Sequence, residues 1–258
     1  MIKCYTNGCD FISENKEFLD TNPYMAVFFY IDCKALKDID SKNYAIKVEK
    51  NGKRLLAIKV EPYNLVLFGY ANLTKELLDY IDINHLEAKG IIAEESIGNE
   101  LIQNHYELMI GMDFMECKEI TIPSSKDVLD IEESDVESIY DLSFQFFKDC
   151  GLPDIPSKDK IKEMIHRFKA IKKNGKIVSM AAYNNDTDQS YRITHVYTIP
   201  SERGKGYAKM IVNAIKNEII QSGKIATLNV DKKNPISYHI YESIGFKRVF
   251  TQGIYNRI

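Results

Sequence analysis

Two glycines and two cationic residues lie close together in the stretch Thr198-Ile199-Pro200-Ser201-Glu202-Arg203-Gly204-Lys205-Gly206-Tyr207-Ala208. Glycine adopts backbone conformations that other residues avoid, and it lets an anion approach the backbone N–H groups closely. Isoleucines at helical spacing follow between residues 211 and 219, so these N–H groups open a helix whose dipole favours negative charge. Arg203 and Lys205 add positive charge. The stretch therefore predicts a site for a phosphate or diphosphate.

Other nucleotide-binding motifs do not fit this loop. The dinucleotide fingerprint requires a third glycine three residues after the second, where this chain has Lys209. The Walker A motif requires Gly-Lys-Ser/Thr, but Gly206 follows Gly204-Lys205. These departures exclude a nicotinamide-dependent oxidoreductase and a P-loop NTPase. The remaining alternative is a turn that opens a helix and binds nothing.

The elements around the loop form a regular mixed α/β order. Asn174-Gly175 between two β-capable runs is a strong signal for a tight hairpin. From about residue 128 the pattern predicts βαα-βββ-αβ-αβ. The predicted strands are 128–131, 170–172, 176–183, 191–198, 225–230 and 246–254, and the predicted helices are 135–147, 158–167, 206–221 and 235–244.

The loop resembles a known motif. Arg203-x-x-Gly206-x-Ala208 is similar to the diphosphate-binding motif Gln/Arg-x-x-Gly-x-Gly/Ala of the GNAT superfamily of N-acetyltransferases. The similarity continues through residues 228–230, Asn234 and 241–246, and it covers about residues 130 to 250. It implies the GNAT acyl-CoA N-acyltransferase fold, an α/β (α+β) fold with a mixed sheet. It also implies acetyl-CoA as co-substrate and no metal.

The resemblance implies two groups of cofactor-binding residues. Backbone groups at the end of the fourth strand would meet the thioester and the pantetheine arm, from Val196, Tyr197 and Thr198. The diphosphate would be held by Arg203, Gly204, Lys205, Gly206, Tyr207, Ala208 and Lys209. Asn234 belongs to the second cofactor segment, and because Pro235 follows it, it is also a natural helix N-cap.

Tyr241 is the expected catalytic residue. It lies seven residues after Asn234, on the same helix face, beside a stripe of Ile236, Ile240 and Ile244 that we expect to face the core. Transfer of an acetyl group to an amine expels a thiolate. A phenol with a pKa near 10 protonates a thiolate whose conjugate acid has a pKa of about 8.5 only as an assisted, uphill step. The alternative is a packing tyrosine with a satisfied hydroxyl.

The sequence does not identify a general base. Many GNAT relatives place a glutamate in the fifth strand, where this chain has Asn229, and an amide cannot accept a proton. Imidazole titrates near neutrality, but strand alternation places His195 on the face opposite Thr194 and Val196, so we expect it in the packed core. A water chain, or an acceptor that arrives neutral, remains an alternative.

The N-terminal half repeats part of this pattern. Lys50-Asn51-Gly52-Lys53 matches Lys173-Asn174-Gly175-Lys176, and residues 106–111 echo residues 241–245. The predicted helices are 11–20, 24–37, 73–83 and 97–109, and the predicted strands are 44–49, 55–60, 64–68 and 90–93. Gly69-Tyr70-Ala71-Asn72 stands where the phosphate loop would be, without a Gly-x-Gly or an arginine. We therefore predict a degenerate GNAT-like domain over residues 1–124 and a catalytic GNAT domain over residues 125–258.

The composition narrows the class of protein. The 258 residues carry a net charge of −3 with a pI of about 6.0, which argues against nucleic acid as a partner. The longest apolar run, Met25 to Ile31, is too short to span a membrane. Five cysteines without a CxxC pair are typical of reduced thiols that bind no metal. We expect a cytoplasmic monomer or homodimer.

These observations combine into a functional hypothesis. The chain is expected to transfer an acetyl group from acetyl-CoA to a primary amine on a small-molecule or peptide acceptor. The alternative is an acyl-CoA-binding sensor or scaffold that has lost catalysis, for which Asn229 is the supporting feature.

Overall fold

The computed structural model describes residues 1–151, 155–185 and 187–258. The chain forms two compact units. The N-terminal unit comprises Met1–Asp113 together with Phe250–Ile258, and the C-terminal unit comprises Phe114–Val249. The end of the chain therefore belongs to the unit that contains its beginning.

The N-terminal unit begins with a strand and two helices before its hairpin. Its elements are β1 (Ile2–Tyr5), α1 (Gly8–Leu19), α2 (Pro23–Ala35), β2 (Tyr44–Lys50), β3 (Lys53–Lys59), β4 (Leu65–Gly69), α3 (Thr74–Ile83), β5 (Gly90–Glu94), α4 (Glu95–Gln103) and most of the long strand β6 (Tyr106–Cys117). From Phe114 onward, β6 belongs to the C-terminal unit. A 3₁₀ turn over Ala71–Leu73 precedes α3.

The C-terminal unit follows a similar order. Its elements are β7 (Leu129–Asp130), α5 (Val136–Asp149), α6 (Lys158–Glu163), β8 (Phe168–Lys173), β9 (Lys176–Asn185), β10 (Ser190–Thr198), α7 (Tyr207–Gln221), β11 (Ile225–Asp231), α8 (Pro235–Glu242) and the first residues of β12 (Lys247–Arg257). From Phe250 onward, β12 belongs to the N-terminal unit. Short 3₁₀ helices precede α5 and β8 and lie between β10 and α7.

The same pattern of strand pairing occurs in both units. β2, β3 and β4 pair antiparallel, and β4 pairs parallel with β5. In the other unit β8, β9 and β10 pair antiparallel, and β10 pairs parallel with β11. Both hairpin turns have an asparagine and a glycine at positive φ, which is the geometry that favours Asn-Gly in two-residue loops. The sequence prediction of two Asn-Gly hairpins is confirmed.

Helices cover both faces of the strands in each unit, so each unit has two apolar clusters. In the C-terminal unit, α7 and the turn after α8 pack on one face through Ile211, Ile215 and Ile244. The other face is covered by α5 and α6 through Ile139 and Ile161. A sheet buried on both sides is the layered arrangement expected of an α/β fold.

One predicted helix is wrong. Residues 97–109 were expected to be helical, but α4 ends at Gln103 and β6 begins at Tyr106. Asn104 Nδ2 donates to the carbonyl of Glu100 at 2.7 Å and closes the helix. His105 then adopts a φ of +67°, which no helix continues. The echo between residues 106–111 and 241–245 therefore has no structural meaning, since one segment is a strand and the other ends a helix.

Two smaller predictions also need correction. The helix expected over 158–167 is divided at Met164 into α6 and a 3₁₀ turn, Ile165–Arg167. The strand β1 was not predicted, because four residues are too few for a period to be recognised. Over the described ranges, no helix is long and apolar enough to cross a membrane.

Candidate functional site

The parallel pairing between β10 and β11 stops before either strand ends. The last paired residues are Ile193 and Leu228, although β10 continues to Thr198 and β11 to Asp231. Beyond this point the facing backbone groups of the two strands lack a ladder partner in the described pairing. The pairing of the two strands therefore ends early, and this leaves strand backbone able to accept an extended ligand.

A β-bulge in β10 lies directly at this opening. Thr194 pairs with Ala182 and Tyr197 pairs with Met180, so β10 has one more residue than β9 between these pairs. His195 is in the extra stretch, with a φ of +53°. A bulge kinks a strand and increases its twist, which turns the last residues of β10 away from β11.

His195 lies in the packed core. Its side chain is 5% exposed, and its ring centroid lies 5.6, 5.3 and 5.3 Å from those of Phe146, Phe147 and Phe168. Neither ring nitrogen has a hydrogen-bond partner among the described residues. Burial lowers the pKa of His195 to about 4, so the imidazole is neutral near pH 7. The expectation that His195 is a packed residue is confirmed.

The predicted phosphate loop, residues 203–209, has open space where an anion would enter. Gly204 and Gly206 both have a φ of +80°, and a Cβ built on either meets nothing within 4 Å. Gly206 is the N-cap of α7 and contributes no side-chain cap. The N–H groups of the first helical turn, Tyr207, Ala208 and Lys209, have no intrahelical acceptor. This geometry fits a diphosphate.

The cations of the loop are paired with carboxylates. Arg203 Nη2 lies 3.1 Å from Asp149 Oδ2, and its Nε donates to the carbonyl of Thr198 at 3.0 Å. The guanidinium also lies over the ring of Tyr197, at 5.6 Å. Lys205 Nζ lies 2.9 Å from Glu202. Arg203 thus ties the loop to the end of β10, and its role toward a diphosphate stays a prediction.

The end of β10 is held from the opposite strand. Ser179 Oγ donates to the carbonyl of Tyr197 at 3.1 Å, and it lies 2.8 Å from Thr198 Oγ1. The Thr198 carbonyl accepts from Arg203, so the backbone carbonyls of two of the three residues predicted to meet the pantetheine arm already have partners. The roles of Val196, Tyr197 and Thr198 stay predictions.

Helix α8 begins as the sequence predicted. Asn234 Oδ1 accepts from the N–H of Ser237 at 3.1 Å, and Pro235 occupies the first helical position. The predicted apolar stripe is wrong at its first member, because Ile236 is 74% exposed while Ile244 is buried. Ile236 lies in the exposed first turn of this short helix, whereas Ile244 and Phe246, which follow the helix, are buried in the core.

Tyr241 is buried in the last turn of α8. It is 7% exposed and packs against Phe246 at 6.2 Å between ring centroids. Burial raises the pKa of Tyr241 to about 12, a hydrogen bond with Ser237 acts in the opposite direction, and Cys150 raises it further. The phenol therefore stays protonated through any physiological pH.

Several polar residues near Tyr241 were missed from the sequence. Cys150 interacts electrostatically with Tyr241, and its own pKa is raised by burial and by the carboxylates of Asp149 and Asp231. Asp149 and Cys150 end α5, whereas Asp231 ends β11. No spacing along the chain connects them, so only the fold places them together.

Asn229 lies one residue beyond the last paired residue of β11. Its Oδ1 is buried and has no partner among the described residues. A buried acceptor without a donor is costly, and a ligand N–H at the strand opening would satisfy it. In the described parts of the chain, no group of three or more His, Cys, Asp or Glu residues has metal-binding geometry.

Comparisons with known proteins agree with this architecture. Residues 134–246 match the Acetyltransferase (GNAT) family. Beta-lysine N(6)-acetyltransferase of Methanosarcina mazei is 32% identical over 92 residues, which cover 34% of this chain and 32% of that relative. The chain thus spans about a third of the length of this relative.

Solved structures extend the likeness to the whole chain. A GNAT-family acetyltransferase from Colwellia psychrerythraea superposes with a TM-score of 0.64 at 11% identity, covering 100% of this chain and 99% of that one. A GCN5-related N-acetyltransferase from Sphaerobacter thermophilus gives a TM-score of 0.61 at 12% identity, covering 89% and 85%. Residues 134–246 therefore match the GNAT family of acetyltransferases, and the solved structures show the fold of such proteins over the full length of the chain.

Proposed function

We propose that the C-terminal unit transfers the acetyl group of acetyl-CoA to a primary amine by direct attack, with Tyr241 as general acid. The observation that carries this proposal is the strand opening beyond Ile193 and Leu228, and it is supported by the two glycines at positive φ before α7 and by the burial of Tyr241. Family membership supports the reaction class.

The loop supports acetyl-CoA as the donor. Its two glycines at positive φ leave open space. The N–H groups of Tyr207, Ala208 and Lys209, in the first turn of α7, are free to donate to an anion. We assign the diphosphate to residues Arg203 through Lys209. The unpaired edges of β10 and β11 are suited to hydrogen-bond an extended pantetheine arm. When bound, acetyl-CoA supplies the activated acetyl group.

Tyr241 would stabilise the leaving thiolate. Because its pKa is raised to about 12, complete proton transfer to a thiolate whose conjugate acid has a pKa of about 8.5 is uphill. The hydroxyl donates a hydrogen bond as negative charge develops on sulfur, and it transfers its proton as the carbon–sulfur bond breaks. Water then returns a proton to the phenolate. Asn229 cannot take the proton of the amine, so that proton leaves through water.

The acceptor end is suited to an amine. The carboxylate of Asp231, at the end of β11, lies near Cys150 and would favour a cationic or strongly donating group. Asn229 Oδ1 is an available acceptor. The Methanosarcina mazei relative is named for acetylating an amino group of beta-lysine, which supports an amine as the acceptor class.

We infer that the N-terminal unit is a degenerate GNAT-like domain that binds no acetyl-CoA. It shares the strand pairing of the other unit, but a 3₁₀ turn over Ala71–Leu73 stands where the other unit has its phosphate loop. Calorimetry should therefore find one CoA site per chain, and two equivalent sites would contradict this inference.

The activity is tested by release of free CoA from acetyl-CoA with a panel of amines. The panel contains lysine, beta-lysine, spermidine, glucosamine and a peptide with a free N-terminus. Amine-dependent release supports the proposal. Tight CoA binding without release for any amine would instead support the alternative, a sensor or scaffold without catalysis.

A further inference from the structure

Helix α7 carries three polar side chains that are almost completely buried. Asn213, Lys216 and Asn217 are 4%, 0% and 3% exposed. Their spacing of three and four residues places them on one helix face. Burying a lysine is costly unless its nitrogen has a partner, so the contacts of this face require an explanation.

The two asparagines hold the segment that precedes β7. Asn213 Nδ2 donates to the carbonyls of Ile122 and Pro123 at 3.2 and 3.1 Å. Asn217 Nδ2 donates to the carbonyl of Ile122 at 2.8 Å and to Ser124 Oγ at 3.1 Å. These contacts fix residues 122–124 against α7 and do not involve α8.

Lys216 has a different target. Its Nζ donates to the carbonyl of Ile244 at 2.9 Å. Ile244 belongs to the turn that closes α8, where the N–H groups of Ile244 and Phe246 both donate to the carbonyl of Tyr241, at 3.2 and 3.1 Å. The last carbonyls of a helix have no intrahelical donor, and Lys216 supplies one.

This turn has little freedom to move elsewhere. Gly245 adopts a φ of +98°, and a Cβ on it would lie 3.2 Å from Thr121 Oγ1 and 3.4 Å from Cys117 Sγ. Thr121 Oγ1 lies 3.5 Å from the Ile244 carbonyl. The closing turn is therefore packed on one side by residues 117–121 and fixed from the other by Lys216.

The same helix begins at the phosphate loop. Gly206 is the N-cap of α7, and Lys216 lies further along that helix. One rigid element thus holds the proposed diphosphate site at its start and the turn after Tyr241 along its length. We propose that Lys216 is a positioning residue that holds the closing turn of α8, so that the Tyr241 hydroxyl keeps its place relative to the bound thioester.

This proposal rests on the proposed function, because it requires Tyr241 to act in catalysis. The test is a double-mutant cycle with Lys216→Met and Tyr241→Phe, measured with acetyl-CoA and the best amine of the panel. Methionine keeps the length of the side chain and removes the donor. We expect Lys216→Met to lower kcat by about tenfold, with less than about a twofold change in the KM for acetyl-CoA. In the Tyr241→Phe background the same substitution should change kcat by less than about twofold.

Asn217→Leu is the matched control, since it removes a donor from the same buried face without contact to α8. It should lower the melting temperature while leaving kcat and the effect of Tyr241→Phe unchanged. Should Lys216→Met not fold, Lys216→Leu, which also removes the donor, replaces it in the cycle with the same expectation of non-additivity.

The outcomes separate the two claims. If Tyr241→Phe lowers kcat and the losses from Lys216→Met and Tyr241→Phe add in the double mutant, the positioning role of Lys216 is overturned. The general-acid role of Tyr241 then still stands. A Tyr241→Phe enzyme with full kcat would overturn the general acid, and the positioning role with it.

Discussion

Arg203 forms an ion pair with Asp149 at 3.1 Å between Nη2 and Oδ2. The two residues lie at the start of the phosphate loop and at the end of α5, and about half of each side chain is exposed. A guanidinium recognises carboxylates and phosphates with the same planar donors. Asp149 therefore occupies donors that Arg203 would offer to a diphosphate.

The first prediction concerns this competition. In Asp149→Asn the guanidinium loses its anionic partner, so acetyl-CoA should bind more tightly. An exposed pair contributes at most about 1 kcal/mol, so the expected gain is up to about fivefold in Kd by titration calorimetry. Asp141→Asn, an exposed change on the same helix, is the control and should have no effect. Weaker binding by Asp149→Asn would mean that Asp149 orients Arg203 for the ligand.

The phosphate loop gives a second prediction. Gly206→Asp places a carboxylate where the diphosphate is expected, so acetyl-CoA binding should fall by at least about a hundredfold. Gly206→Asn introduces an uncharged side chain of nearly the same size as aspartate, so it separates the effect of the negative charge from the effect of the added volume. Gly223→Asp is the control for backbone strain, because Gly223 has a φ of +77° and also has open space around it. Equal CoA affinity in Gly206→Asp and the parent would refute the assignment of the loop.

A third prediction concerns Tyr241→Phe. The change removes one hydroxyl and keeps the ring in its contact with Phe246, so CoA affinity should change little. Loss of a general acid should lower kcat by about 10²- to 10⁴-fold. A packing tyrosine would instead lose about 1 kcal/mol of stability with activity nearly intact. Tyr238→Phe on the same helix is the control, and melting temperature is measured beside kcat for both.

The buried imidazole of His195 predicts acid sensitivity. Its pKa is about 4 in the folded protein, against about 6.5 when unfolded. Below pH 6.5 the unfolded chain binds a proton that the folded chain does not, so stability is full above pH 6.5 and declines as the pH falls toward 4. The total loss attributable to this group is roughly 3 kcal/mol.

His195→Asn tests this explanation, because asparagine tolerates a positive φ and does not titrate. Denaturant unfolding at pH 7 and pH 4.5 should show a smaller acid loss in His195→Asn than in the parent. His166→Asn, which changes an exposed histidine, should retain the parent's acid loss. An identical loss in all three proteins would contradict the neutral buried state of His195.

The sequence was informative where chemistry is local. The Asn-Gly hairpins, the glycines before α7 and the cap formed by Asn234 and Pro235 each depend on a few adjacent residues. Their conformations follow from the backbone preferences of those residues alone. They were predicted in the correct places, together with the order of most elements.

The features that the sequence did not reveal depend on distant residues. The bulge at His195 exists because β10 has an extra residue relative to β9, which no local pattern in β10 shows. The meeting of Cys150 with Asp231 and Tyr241 joins the ends of a helix and a strand far apart in the chain. The helix wrongly predicted to extend to Met109 shows the same limit. The apolar pattern indicated a continuous helix, but His105 adopts a positive φ and ends it.

The pairing of β12 with β5 sets an order of events during synthesis. Residues Gln252–Asn256 pair antiparallel with Gly90–Glu94, and Arg257 contacts Asp82 at 2.6 Å. A strand of the N-terminal unit is thus translated after the entire C-terminal unit. The N-terminal unit therefore cannot close until residues 252–256 have been synthesised, and until then the edge of β5 is unprotected. Chaperone binding to nascent chains should therefore persist until translation has passed residue 256.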